Sequence, residues 1–170
     1  MGRPGALGAW AAAVVVFALA SALPAIAGQY EPRPGLHTGA VADAGAWQRL
    51  LADGLGTVID LRTDAERRQQ PNDRVVALAR VHGLQVHHLP IAGADDLTLE
   101  NVERLRQALD TAHGRVLMHC SDGDRSGALL ALMAHFEEGL SRRRALALGR
   151  RAGLSSLETD VQLRLRRLRR

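Results

Sequence analysis

The sequence predicts an α/β fold, a mainly parallel central sheet flanked by helices. Three observations predict it. Short runs rich in apolar and β-branched residues, at 57–61, 84–89 and 115–119, alternate with segments of helical periodicity. Glycine or proline marks the junctions, as at Gly54, Gly56, Gly83, Pro90 and Gly114. One helical segment, from Ala128 to Ala134, is apolar on every side and therefore belongs in the middle of a layered core. A chain of 170 residues suffices for one such domain, and no repeat or internal boundary divides it.

The elements follow in order. Met1 to Pro4 carries a single charge at Arg3, Ala6 to Leu23 is apolar, and Ala25-Ile26-Ala27 supplies a small-x-small site before Gly28. That reads as a signal peptide over residues 1–27, with a single domain over 28–170 exported to the periplasm or medium. The alternative is an uncleaved membrane anchor, because the apolar run is about as long as a short span. Gln29 to Gly35, with Pro32 and Pro34, reads as an extended lead-in, and Leu36 to Val41 as a first short strand. Asp43 caps a helix running to about Asp53, with Trp47, Leu50 and Leu51 on its buried side. After the 57–61 strand comes a polar stretch containing Pro71, then a helix through Val75, Leu78, Ala79 and His82 that Gly83 ends. The 84–89 strand leads into a loop from Ile91 to Leu97. Thr98 then caps a helix striped with Val102, Leu105, Leu109 and Ala112. After the 115–119 strand and the buried helix, two more helices are expected, at about 142–151 and 157–169. Ser155 and Glu158 have capping-box spacing for the last.

In a parallel sheet the site forms from loops at the carboxyl ends of the strands. Three segments meet there: Asp60 to Arg62, the loop carrying Asp95 and Asp96, and Cys120 to Arg125. The last is the informative one. Cys120 is the only cysteine, so no internal disulfide is possible, and its neighbours decide whether it is filler or a reactive thiol. Ser121, Asp122, Gly123, Asp124, Arg125 and Ser126 follow it, between a buried strand and a buried helix. Such a loop turns backbone N–H groups inward as an anion cradle, and the next helix aims its positive end at the same place. Gly123 permits the turn, and the planar fork of Arg125 suits two phosphate oxygens. A thiolate among amides, a helix N-terminus and a guanidinium is a stabilised nucleophile.

His119-Cys120-Ser121-Asp122-Gly123-Asp124-Arg125-Ser126 resembles the loop of the cysteine-dependent phosphatases, with one residue fewer between the glycine and the arginine. The shortened form is similar to the small dual-specificity-phosphatase-like domains of bacteria, including those fused to β-lactamase-like hydrolases. Val58 to Arg62, His88 to Ile91 and Val116 to Cys120 fall where that family has similar segments, and the likeness covers about 36–154. It implies a cysteine-phosphatase-like fold with Cys120 as nucleophile and Arg125 with the loop residues 121–126 as phosphate binder. It implies a phosphorylated substrate, whether protein, lipid or small phosphoester. It also implies a general acid on the loop before the cysteine strand, where Asp95 and Asp96 lie. Asp124 is the rival acid, through a local likeness of its loop to the myotubularin lipid phosphatases. Six residues from Cys120 to Arg125 is also the rhodanese loop size, so a sulfurtransferase or persulfide carrier is the alternative activity, and a catalytically dead anion-binding module the third.

The remaining candidates read more plainly. With one Cys and scattered His, no metal site and no cofactor are expected, and His87 and His88 point to opposite faces of a strand. His119 orients the loop, Ser126 serves the leaving thiolate or caps the helix, and Arg62 braces the site edge or pairs with a neighbour. Asp122 and Asp124 are expected to point outward, away from the anion site. All 22 basic residues are arginine, and five lie between Arg164 and Arg170. That basic helix packs one stripe, Leu157, Val161, Leu165 and Leu168, and is available for weak contact with an anionic surface.

Overall fold

The structure, a computed structural model, describes residues 29–41, 43–69 and 74–168. The apolar N-terminal segment, Pro71, Arg169 and Arg170 lie outside the described residues. Five strands form one sheet in the order β1-β2-β5-β3-β4. They are β1 (Gln29–Arg33), β2 (Leu36–Gly39), β3 (Leu55–Asp60), β4 (Gln85–His88) and β5 (Arg115–His119). All neighbouring pairs are parallel except β1 with β2. The expected α/β layer structure is therefore present.

β1 corrects the reading of 29–35 as a mere lead-in. Pro32 cannot donate to a ladder, which argued against a strand, but an edge strand tolerates it. A register shift between Tyr30 and Arg33 accompanies it, and Gly35 turns the chain with φ 79°.

Strand alternation sorts the core onto two faces. Val58 and Leu117 pack with Trp47, Leu50, Val75 and Ala79, from helices α1 (Ala44–Ala52) and α3 (Val75–Val81). Ile59 and Met118 face the larger core built by α4 (Leu99–Asp110), α5 (Asp124–Phe136) and α7 (Glu158–Arg167). Asp43 and Thr98 cap α1 and α4 as expected, accepting from Ala46 N at 2.7 Å and Asn101 N at 3.2 Å. α5 begins at Asp124, four residues before the apolar run, and every residue from Asp124 to Ala134 is buried. It crosses α6 (Arg142–Arg151) so closely that a Cβ on Gly127 would stand 2.5 Å from Gly149 O and 2.4 Å from Leu154 N.

A further helix, α2 (Asp64–Gln69), occupies the stretch that composition had marked only as polar. No residue of it is buried, so it has no apolar stripe to reveal it. Its signal is a capping box at Thr63 and Glu66: Glu66 N donates to Thr63 Oγ1 at 3.2 Å, and Thr63 N donates to Glu66 Oε2 at 2.8 Å. The box expected at Ser155 and Glu158 does not form; α7 starts after Leu157, and the Ser155 amide donates to Asp124 instead. Among the described residues no helix is long and apolar enough to cross a membrane.

Candidate active site

The register brings the site together. Asp60, at the end of β3, lies opposite His88 on one side and His119 on the other, and His119 lies opposite Gly39 of β2. The carboxyl ends of four parallel strands thus finish level, and the chain leaves β5 directly into Cys120. His119 is buried, with Nδ1 3.2 Å from Gly39 O, and its role is to fix the loop's departure from the sheet.

Cys120 is fully buried at the base of the loop. Gly123 N donates to its Sγ at 3.1 Å. Gly123 has φ 99°, the left-handed region in which a side chain is strained, and this conformation aims its amide back at the sulfur. Gly123 is also the N-cap residue of α5 and has no side chain to cap it, so the helix's positive end is left facing the thiol. Ser126 Oγ lies 3.4 Å from Sγ and donates to Met118 O at 3.2 Å. A hydroxyl has one proton. While Met118 O holds it, the Cys120 S–H must supply the proton between Sγ and Oγ; once the sulfur is ionised, Ser126 can turn its proton to it.

Arg125 is nine-tenths buried and held on three sides. Its Nη1 and Nη2 each donate to a Glu66 carboxylate oxygen at 2.8 Å. Nη1 also donates to Ile91 O at 2.9 Å and Nη2 to Ser121 Oγ at 3.2 Å. This charge-assisted bidentate pair holds Glu66 at about 2, well below its ordinary 4.5; the Arg125 hydrogen bonds outweigh partial burial, and Thr63 adds two more donors. Burial works against the Arg125 charge, but the Glu66 carboxylate overrides it and raises the guanidinium above its ordinary value. Glu66 therefore belongs to the site, although the sequence reading had assigned it no role. The legible signal was its capping-box spacing, which fixes the carboxylate on the α2 turn facing the loop.

The acidic candidates separate. Asp124 does not point into solvent. It is buried, and its carboxylate accepts from Ser155 N at 2.7 Å, from Leu157 N at 3.2 Å and from the Ser156 hydroxyl. Those donors lie in the turn just before α7, so Asp124 ties that turn to the start of α5. Asp122 is exposed, as expected, and accepts from Asp124 N at 3.0 Å, which closes the loop locally. Asp95 and Asp96 fall on a single 3₁₀ turn, Ala94–Asp96, beyond β4. Asp96 accepts from Ala92 N at 2.6 Å and so ties its own loop, whereas Asp95 is exposed. Ile91, at the start of the same loop, touches Arg125 through its carbonyl, which places this segment beside the cysteine loop. Arg62 takes the pairing role: it is buried against Asp60, with Nε to Oδ1 at 2.9 Å and Nη2 to Oδ2 at 3.1 Å.

Residues 34–135 match the family model described as the phosphatase-like domain of beta-lactamase hydrolase-like protein. A curated relative of that name from Xylella fastidiosa is 35% identical over 101 residues, which is 59% of this chain and 23% of the relative. The chain thus spans about a quarter of the length of that relative. Solved structures share the fold. A Neisseria meningitidis protein superposes with TM-score 0.67 at 24% identity, covering 81% of this chain and 96% of its own. Pseudomonas aeruginosa TpbA, solved in complex with phosphotyrosine, gives 0.58 at 21% identity, covering 83% and 84%. A buried thiol under a glycine amide, an arginine clamped beside it and a matched stretch running from β2 to the end of α5 lead to one assignment: the chain belongs to the phosphatase-like domain family of the beta-lactamase hydrolase-like proteins.

Proposed function

We propose that the chain is a phosphomonoesterase that works through a phosphoryl group carried on Cys120. The observation that carries this is the state of the Arg125 fork. Glu66 takes the end-on edge, Nη1 and Nη2, while among the described residues the side edge, Nε and Nη2, meets only Ser121 Oγ. A phosphate group replacing that hydroxyl gains two parallel N–H donors without breaking the Glu66 pair.

In the first step the Cys120 thiolate attacks phosphorus, the S–P bond forms, the P–O bond to the leaving group breaks, and Asp95 gives the departing oxygen its proton. Asp95 is preferred to Asp96 because the Asp96 carboxylate is already engaged by its own loop. In the second step water attacks phosphorus, Asp95 takes the water's proton, and the S–P bond breaks. Ser126 then turns its hydroxyl from Met118 O to the departing sulfur. Arg125 and the loop amides hold the equatorial oxygens throughout. The substrate is a phosphoester; TpbA's bound phosphotyrosine supports an aryl phosphoester as one class.

The six-residue loop favours a second reading, a sulfurtransferase with a persulfide on Cys120. Leaving groups distinguish the two. A poor leaving oxygen needs the acid, an activated one does not, and sulfur transfer to cyanide has no such oxygen. Asp95→Asn is expected to lower turnover of alkyl phosphates by roughly 10²–10⁴ while sparing activated aryl phosphates. The same loss in Asp96→Asn instead transfers the role one residue on. Full alkyl-phosphate turnover in both variants contradicts the mechanism.

A further inference from the structure

The geometry points to a second phosphate-binding site in the cleft between α2 and α3. This rests on the phosphatase reading only for its neighbour, since the cleft shares no residue with the cysteine loop. The cleft encloses about 360 Å³, within the range of small-ligand sites. Four arginines line it, Arg62, Arg67, Arg68 and Arg80, together with Asp64 and Val76.

The charges do not cancel. Arg62 is paired with the buried Asp60, and Arg67 reaches Asp60 and Asp64, each at 3.6 Å. Arg68 and Arg80, both exposed, have no carboxylate partner among the described residues and converge from two helices on one concavity. Four guanidiniums thus share two carboxylates across a cleft whose low-dielectric walls concentrate the field. The preformed planar forks of arginine match phosphate oxygens better than they match a simple halide. Placement adds to this. Glu66 and Arg67 are consecutive on α2, so one turn of helix presents Glu66 to Arg125 and Arg67 to the cleft. A ligand in the cleft therefore bears on the helix that clamps the catalytic arginine. The phosphate group is either free inorganic phosphate or a second phosphoryl group on the substrate.

The test is a titration of the full domain with inorganic phosphate at constant ionic strength, following the ¹⁵Nε signals of its arginines. Saturable shifts are expected at Arg68 and Arg80, and the Arg68 response is expected to weaken about tenfold or more in Arg80→Ala. Arg125 serves as an independent reporter of the cysteine loop, and its response must survive Arg80→Ala. Both replaced side chains are exposed, and an unchanged Arg125 response certifies the fold. Singly and doubly phosphorylated peptides separate the two sources. If the preference for the doubly phosphorylated peptide is lost in Arg68→Ala with Arg80→Ala, the group belongs to the substrate. If no such preference exists but phosphate saturates the cleft, it is free phosphate. No saturable response at Arg68 and Arg80, or one unaltered by Arg80→Ala, overturns the second site whatever Arg125 does. Silence at Arg125 alone counts against the phosphatase reading and leaves the cleft to be judged on its own signals.

Discussion

The Arg125 guanidinium has five N–H donors, and Glu66, Ile91 and Ser121 engage four of them. Arginine without such a clamp sweeps through many rotamers, and that freedom must be lost each time phosphate binds. Glu66→Gln keeps the shape but removes the charge, so Arg125 is held less firmly. We expect kcat/KM on aryl phosphates to fall about 10–100-fold, the scale of a small misplacement in the site. The same pair predicts a pH dependence of stability. The folded pKa of Glu66, about 2, lies below the ordinary 4.5, so its contribution is fully present above pH 4.5 and is lost as pH falls toward 2. Denaturant unfolding between those limits is expected to show a steeper loss in the wild type than in Glu66→Gln; equal slopes contradict the clamp. At this scale the sequence was legible where a loop motif carried the information. The structure places Cys120, Gly123, Arg125 and Ser126 together where the motif put them. Glu66 was not legible as a site residue, because its partner is 59 positions away and only the fold brings them together. The outward orientation expected of Asp124 failed because its donors lie 31 to 33 positions away, at Ser155, Ser156 and Leu157.

Among the elements, the loop and the C-terminal helix are joined through one side chain. Asp124 opens α5 and accepts from the turn that leads into α7, through Ser155 N, Leu157 N and the Ser156 hydroxyl. Removing it leaves those donors without their acceptor at a partly buried helix start. Asp124→Ala is expected to cost about 1–3 kcal/mol of stability, as leaving buried donors without their acceptor does. Amide exchange should rise selectively at residues 155–157 and in α7; a uniform rise over the whole domain, or no loss of stability, contradicts an anchoring role. Element type followed from periodicity wherever a stripe existed, as in α1 and α4. It failed at α2, which buries nothing, and at β1, whose Pro32 fits only because the strand is an edge. A helix start was less legible where no side chain caps it: α5 is entered through Gly123, ahead of its apolar run.

For the whole molecule, two layers of helix on a nearly parallel sheet carry all the chemistry to one edge, and the alternation of strands and helices made that legible. The signal segment over residues 1–27 is a separate proposal about where the domain works. N-terminal sequencing from the native host is expected to find a chain starting near Gly28; a retained Met1 in a membrane fraction favours the anchor instead. The buried thiol, the Gly123 amide on its sulfur and the side edge of Arg125 that faces the Ser121 hydroxyl together make the central claim, that Cys120 transfers phosphoryl groups. Its most direct test measures two products from one purified domain: phosphate from an aryl phosphate, and thiocyanate from thiosulfate with cyanide. The account predicts phosphate release that disappears in Cys120→Ser, with no thiocyanate. Thiocyanate formation without phosphate release would contradict it and assign the six-residue loop to sulfur.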